Sequence, residues 1–127
     1  MTGEQMMEFK NWAVVGDVLN EEKYAYKIVR RLEKGNYNVT KVNPRSNSDQ
    51  VYKSLKDVKE KIDVIDLVIH PKVGINVMKE AHEVGIDKVL IQPGAESEEI
   101  LEYCKDNNIQ AFQGCALVEL SKRGIRE

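Results

Sequence analysis

Short apolar runs alternate with amphipathic helical segments along this chain, and this alternation is the feature that most restricts its fold. Residues 12–15, 64–69 and 89–91 are almost continuously apolar, which is typical of strands buried on both faces. Residues 39–42 and 109–113 complete five predicted strands. The runs recur at intervals of about 25 residues without a hairpin signal between them. The sequence therefore predicts an α/β fold, a doubly wound parallel five-stranded sheet covered by helices in three layers.

The predicted helices have recognisable ends. Apolar residues recur about every three to four positions before Gly35 and before Gly85, which predicts two amphipathic helices that end at these glycines. Ser97 is the predicted N-cap of a third helix, because its hydroxyl can accept a hydrogen bond from the first turn. Residues 3–10 are predicted to form a short leading helix.

Two polar features fall between these elements. Ser54, with Asp57 three positions later, resembles a capping box that opens a short helix. Asp66 interrupts the apolar run at 64–69. Two interpretations of Asp66 stay open: it lies at a strand edge, or it accepts local backbone hydrogen bonds.

Length and composition restrict the class of protein. A chain of 127 residues fits one domain, with a core over about residues 11–120. The 42% hydrophobic and 31% charged content is typical of a soluble globular protein. No apolar run approaches the roughly 20 residues of a membrane span, and residues 1–11 lack the apolar centre of a signal peptide. We therefore expect a cytoplasmic location and no membrane partner.

The charged residues and cysteines exclude two further classes of site. The net charge of −2 combines 19 Lys and Arg with 21 Asp and Glu, so no strong positive field exists to attract nucleic acid. Cys104 and Cys115 have neither metal-binding spacing nor the pattern of a disulfide framework, and the two histidines complete no zinc motif. The sequence therefore predicts neither a nucleic-acid partner nor a metal site.

Loop residues of special conformation follow the ends of four predicted strands, namely Gly16, Pro44, Pro71 and Pro93. The carboxyl ends of parallel strands meet at one edge of a sheet, and ligands of doubly wound folds bind there, in the crevice at the switch point. With right-handed crossovers, we expect the first and fourth strands to be adjacent at this switch point. The sequence thus predicts a ligand site at this edge.

The loop after the second strand carries the most specific chemical signal. An NAD site would carry an acid there to bind the free ribose hydroxyl. This chain instead has Asn43, the rigid Pro44 and the cation Arg45, which suit a phosphate on the ribose. A merely solvated arginine is the alternative interpretation.

The loop after the first strand lacks the G-x-G-x-x-G fingerprint. Gly16 either lets the backbone approach a pyrophosphate, with helix N-terminal amides and Lys23 supplying positive potential, or is a simple turn glycine. Asp17 opposes anion binding unless its side chain caps the helix.

The remaining loops also allow two interpretations each. His70 and Lys72, on either side of Pro71, can contact an adenine ring or a phosphate, or His70 is a turn residue. Gln92 offers an amide beside Pro93, or this segment is an ordinary Pro-Gly turn. Cys115 is either a small core residue or a thiol near the crevice.

Together these segments resemble the small stand-alone CoA-binding proteins, whose Rossmann-like fold is similar to the N-terminal CoA-binding domain of the succinyl-CoA synthetase α subunit. The resemblance covers about residues 11–120 and rests on the order of five short segments. These segments are Ala13-Val14-Val15-Gly16, Asn20-Glu21-Glu22-Lys23 with Tyr26, Val42-Asn43-Pro44-Arg45, Ile91-Gln92-Pro93-Gly94, and Gly114-Cys115 with Val118-Glu119. The sequence departs from the family's pattern at Asp17, where a small residue is common, and at Tyr24-Ala25, where Pro-Gly is common.

The resemblance implies that the loops after the strands bind the adenosine 3′-phosphate and the pyrophosphate of CoA. The residues it implies are Gly16, Asp17, Val18, Lys23, Asn43, Pro44, Arg45, His70, Pro71, Lys72, Gln92, Pro93 and Gly94. The synthetase itself uses a phosphorylated histidine and a partner subunit, and we find no comparable catalytic constellation in this chain.

Three functional hypotheses follow. The first is non-catalytic binding of CoA or acyl-CoA by a single nucleotide-binding domain. The second is an enzyme, either a reductase that uses NADP, whose 2′-phosphate would suit the same arginine, or one with thiol chemistry at Cys115. The third is an interaction module that forms a homo-oligomer or binds an unidentified protein partner.

Overall fold

A computed structural model describes all 127 residues and contains five parallel strands and five α-helices. The strands are β1 (Asn11–Gly16), β2 (Asn38–Val42), β3 (Val64–Val68), β4 (Lys88–Ile91) and β5 (Gln110–Gln113). The helices are α1 (Gly3–Met6), α2 (Tyr24–Lys34), α3 (Pro71–Glu83), α4 (Glu98–Asp106) and α5 (Ala116–Lys122). The predicted doubly wound parallel sheet is confirmed. None of the helices combines the length and apolar character that crossing a membrane requires.

The strands are arranged in the order β2-β1-β3-β4-β5, so the predicted adjacency of the first and fourth strands is wrong. The helix between β1 and β2 packs on one face of the sheet, whereas the segment between β2 and β3 packs Leu55 on the other. Because right-handed crossovers on opposite faces progress in opposite directions, the chain returns past β1 and adds β3 on its far side. The switch point therefore lies between β1 and β3.

Two apolar layers enclose the sheet. Ala13 and Val15 of β1 face α3 and α4, while Trp12 and Val14 face α1, α2 and α5. These four side chains are at most 1% exposed, as expected for a strand with neighbours on both sides and helices on both faces. The apolar run that predicted β1 thus reflects burial on two faces. Because β1 is buried in this way, the loop that follows it is held at the edge of the sheet.

The helix ends show which predicted caps form. Ser97 accepts a hydrogen bond from the Ile100 amide at 3.1 Å, and Gly85 follows α3 with a φ of 82°, as predicted. Gly35 ends α2, but the left-handed residue is the following Asn36, with a φ of 65°. The leading helix is shorter than predicted and ends at Met6, after which the buried Met7 leads the chain toward β1.

The predicted capping box at Ser54 and Asp57 is wrong. Ser54 caps a single 3-10 turn, Leu55–Asp57, and accepts a hydrogen bond from the Lys56 amide at 3.1 Å. Its hydroxyl donates to the carboxylate of Glu80 on α3 at 2.9 Å. The acid that pairs with Ser54 is therefore Glu80 on a distant helix, and the spacing of residues around Ser54 cannot predict this partner.

Asp66 lies in the middle of the central strand β3, with Val14 and Leu90 as its register partners on either side. The side chain is fully buried and neither carboxylate oxygen has a hydrogen-bond partner. Both predicted alternatives, a strand edge and local backbone hydrogen bonds, are wrong. Burial raises the pKa of the Asp66 carboxyl well above its ordinary value.

Gly16 ends β1 where its neighbour comes too close for a side chain. An added Cβ would overlap the carbonyl oxygen of Val68 on β3 and lie 3.3 Å from the Cβ of Ala25. We expect Gly16→Ala to lower the free energy of unfolding by about 1–3 kcal/mol, because the strands must move apart. Urea denaturation measures this loss, and an unchanged midpoint would contradict the close approach.

Candidate functional site

A cleft of about 540 Å³ opens at the carboxyl edge of β1, β2 and β3, beside the switch point of the sheet. Nine residues line it: Asp17, Lys23, Tyr24, Ala25, Asn43, Arg45, Val68, Ile69 and His70. They come from the loops after β1 and β2, from the first turn of α2, and from the end of β3 and the loop that follows it. The fold therefore gathers segments that are distant in sequence around one opening, in the place where doubly wound folds bind ligands.

The cleft brings together five of the residues selected from the sequence: Asp17, Lys23, Asn43, Arg45 and His70. The other eight do not line it: Gly16, Val18, Pro44, Pro71, Lys72, Gln92, Pro93 and Gly94. Among the latter, Gly16 and Val18 are buried beneath the loop. Four lining residues were not selected from the sequence: Tyr24, Ala25, Val68 and Ile69. Only Tyr24 offered a signal, as an aromatic residue at a helix start.

The loop after β2 has a fixed conformation. The side-chain oxygen of Asn43 accepts a hydrogen bond from the Arg45 amide at 3.0 Å, and the Asn43 carbonyl accepts one from Ser46 at 3.2 Å. The Asn43 amide donates to the carbonyl of Tyr52 at 2.8 Å, which ties the loop to the segment beside β2. Asn43 therefore sets the backbone from which Arg45 projects, as short polar side chains do in turns.

The guanidinium of Arg45 has no partner within the protein. Its side chain is exposed, lines the cleft, and makes neither an ion pair nor a hydrogen bond. Guanidinium groups form their strongest hydrogen bonds with carboxylates and phosphates, often in pairs. Arg45 thus presents an unused anion-binding group at a fixed loop.

The loop after β1 leaves the start of α2 open. The side-chain oxygen of Asn20 accepts from the Glu22 amide at 3.1 Å, and the Asn20 carbonyl accepts from Lys23 at 3.0 Å. Lys23 is the N-cap residue of α2 and makes no capping hydrogen bond with its side chain. The first amides of this helix, at the cleft-lining Tyr24 and Ala25, are therefore not capped by a side chain and carry the positive end of the helix dipole.

Asp17 does not cap α2. Its carboxylate is exposed, lines the cleft, and accepts only a long hydrogen bond of 3.4 Å from the side-chain amide of Asn20. Two cations, Lys23 and Arg45, line the same cleft. The net charge of the residues at the opening is therefore positive, and the Asp17 carboxylate is the one group there that repels an anionic ligand.

His70 caps the helix on the far wall of the cleft. Its Nδ1 accepts a hydrogen bond from the Lys72 amide at 3.1 Å, and Pro71 is the first residue of α3. Because Nδ1 is an acceptor, a neutral imidazole carries its proton on Nε2, which is free to donate. His70 therefore caps the turn through Nδ1 and also lines the cleft, so both predicted interpretations of this residue fit the structure.

The loop after β4 is directed toward α5. Gln92 is 5% exposed, and its side-chain oxygen accepts a hydrogen bond from the Ala116 amide at 2.7 Å. The Gly94 amide donates to the Glu96 carboxylate at 2.7 Å. In this structure the amide of Gln92 supports the β5–α5 connection, where the half-buried Cys115 lies.

Comparison with known proteins establishes the family. Residues 10–121 match the family described as "CoA binding domain". The chain belongs to this family. The match covers all five strands, and the predicted resemblance to CoA-binding proteins is confirmed.

Solved structures resemble this member of the CoA-binding domain family along most of its length. A conserved hypothetical protein from Pyrococcus furiosus is 34% identical, with a TM-score of 0.77 over 89% of this chain and 99% of that one. A hypothetical protein from Pyrococcus horikoshii OT3 is 25% identical, with a TM-score of 0.85 over 96% of this chain and 92% of that one. A Thermus thermophilus protein, 22% identical over 97% of this chain and 98% of that one, shares the fold with a TM-score of 0.80.

Proposed function

We propose that the cleft at the edge of β1, β2 and β3 binds CoA. Arg45 pairs with the 3′-phosphate of the adenosine, and the open start of α2 with Lys23 binds the pyrophosphate. The observation that carries this proposal is the unpaired guanidinium of Arg45 in a cleft of mainly positive charge. Family membership supports CoA among phosphorylated nucleotides.

The two anionic groups of CoA match two separate donors. A phosphate monoester at the 3′ position accepts paired hydrogen bonds from a guanidinium, which a free hydroxyl cannot do. The pyrophosphate suits the free amides of α2, because helix N-termini bind phosphate through backbone N–H groups and their dipole. Both donors line one cleft, so a single ligand can contact them together.

The proposed role is to bind CoA or acyl-CoA without catalysing a reaction. His70, which lines the cleft, uses Nδ1 to cap α3. Neither Ser nor Cys lines the cleft as a nucleophile. Cys115 follows β5 and does not line the cleft, and the adjoining Ala116 is tied to Gln92 after β4.

Isothermal calorimetry with CoA, dephospho-CoA, NADP and NAD tests the proposal. We expect CoA to bind at least about tenfold more tightly than dephospho-CoA, because a charge-assisted hydrogen bond contributes about 1.5 kcal/mol or more. Equal affinities for CoA and dephospho-CoA would contradict the role of Arg45. A preference for NADP over CoA would instead favour the 2′-phosphate and the reductase hypothesis.

Asp17 gives an independent test of the pyrophosphate position. We expect Asp17→Asn to tighten CoA binding by about two- to fivefold, because it removes a screened repulsion of an anion in the same cleft. Asp57→Asn, an exposed change outside the cleft, serves as the matched control and should leave affinity unchanged. Weaker binding of CoA to the Asp17 variant would argue against a phosphate beside this loop.

A further inference from the structure

Tyr24 presents an aromatic ring at the mouth of the cleft. Its side chain is 64% exposed, more than any other large apolar side chain that reaches the surface. The hydroxyls of Tyr26, Tyr37 and Tyr52 form hydrogen bonds, whereas those of Tyr24 and Tyr103 do not. Tyr103 is partly buried and packs against His82, which leaves Tyr24 as the exposed ring without a partner. An exposed ring without a polar partner, set on the first residue of a helix, forms a flat apolar surface that a ligand can cover.

Lys27 lies beside the ring of Tyr24. Its ammonium lies over the Tyr24 ring, 5.5 Å from the centroid, one turn further along α2. Lys27 lines a groove along the outer face of α2 and does not line the cleft, whereas Tyr24 lines the cleft and not that groove. The lysine therefore lies over one face of the ring, while the ring itself borders the cleft and is largely exposed.

We infer that Tyr24 is a binding residue on which the adenine base of the ligand stacks. The inference rests on the proposed function, since it needs a nucleotide whose phosphorylated ribose lies at Arg45. The base is bonded directly to that ribose, so it must lie within the same opening. Tyr24, Ala25, Val68 and Ile69 supply the apolar part of its lining.

Stacking on an aromatic side chain suits adenine better than the other parts of CoA. The base has a large π-face, and such stacking typically changes affinity about tenfold or more per base when the aromatic residue is truncated. The phosphates are directed to the cationic groups by their charge, and the flexible pantetheine arm has no flat surface to match a ring. Lys27, over one face of the ring, reinforces the ring's position by a cation–π contact.

The test compares Tyr24→Ala and Tyr24→Phe with the unaltered protein. Dissociation constants are measured by calorimetry for CoA and for adenosine 3′,5′-bisphosphate, which keeps the base and the 3′-phosphate but lacks the pantetheine arm. We expect Tyr24→Ala to raise both dissociation constants equally, by about tenfold or more. For Tyr24→Phe, both constants should lie within about twofold of those of the unaltered protein. Tyr26→Ala, on the same helix but lining the outer groove, is the matched control and should leave both constants unchanged.

The outcomes separate this inference from the proposed function. If the unaltered protein binds CoA and Tyr24→Ala binds it equally well, the stacking role is overturned while CoA binding stands. A loss for CoA without an equal loss for the bisphosphate places the ring beside the second phosphate or the pantetheine arm, which the bisphosphate lacks, and also overturns it. No binding of CoA by the unaltered protein overturns the proposed function and this inference together. Thermal unfolding of each variant confirms that the fold is retained.

Discussion

Replacing Asp66 with leucine is expected to raise the free energy of unfolding by at least about 2 kcal/mol at neutral pH. A buried polar group without a hydrogen-bond partner costs about 1–3 kcal/mol, and an ionised one costs more. Asp66 has two such oxygens in the centre of the sheet. Leucine branches at Cγ as aspartate does, and it suits the apolar layer that contains Val14 and Leu90.

Asp63→Leu is the matched control, since Asp63 lies just before the same strand and its carboxylate is used. That carboxylate accepts hydrogen bonds from the backbone and side-chain amides of Asn11, at 3.2 and 2.9 Å. We expect the control to lose stability while Asp66→Leu gains it. A loss of stability in Asp66→Leu, measured by urea denaturation, would mean that the buried carboxyl makes a compensating interaction.

The pH dependence of stability gives a second readout of the same group. Burial raises the pKa of the Asp66 carboxyl in the folded protein above its ordinary value of 3.8. The protonated carboxyl is tolerated in the core better than the carboxylate. The stability that protonation gives the folded protein is therefore fully present below pH 3.8 and is lost as the pH rises through the folded-state pKa. The loss amounts to about 1.4 kcal/mol per pH unit between the two pKa values. Asp66→Asn, which cannot ionise, should lack this component, and identical pH profiles would contradict it.

Replacing Arg45 with glutamine is expected to weaken the binding of CoA about tenfold or more, while the affinity for dephospho-CoA stays nearly unchanged. The variant loses a charge-assisted hydrogen bond to the 3′-phosphate, which contributes about 1.5–3 kcal/mol. Because Arg45 is exposed and makes no contact that the fold needs, the midpoint of thermal unfolding should not move. Calorimetry with both ligands measures the two affinities.

Arg126→Gln provides the control for loss of a positive charge, because Arg126 is also exposed and unpaired but lies near the end of the chain, away from the cleft. It should leave both affinities unchanged. Equal weakening of CoA and dephospho-CoA by Arg45→Gln would show that the arginine acts on another part of the ligand.

Local pattern was sufficient to predict the strands and most helix ends. Burial on two faces leaves a continuous apolar run at residues 12–15, and the caps at Ser97 and Gly85 depend only on neighbouring residues. Strand order was not predictable in the same way. It depends on which face each connection crosses, and nothing local to the segment between β2 and β3 shows that Leu55 packs beside α3.

Features that depend on distant partners explain the remaining differences. Gln92 is held by the amide of Ala116, and Ser54 by the carboxylate of Glu80 on α3. Asp66 is costly because it projects, beside Val14 and Leu90, into an apolar layer that excludes water. By contrast, Arg45 could be selected from the sequence because the adjoining Asn43 and Pro44 fix the loop locally. An aromatic residue at a helix start marked Tyr24 in the sequence, but its place beside Arg45 depends on the cleft that three strand ends form together.

Phosphorus NMR of bound CoA tests the central claim most directly, because it observes the 3′-phosphate itself. A free phosphate monoester has a second pKa of about 6. A neighbouring guanidinium favours the dianion, so the 3′-phosphate of protein-bound CoA should titrate at a clearly lower pH, and Arg45→Gln should abolish that shift. A bound 3′-phosphate that titrates as in free CoA, or one that titrates identically in both proteins, would contradict the account.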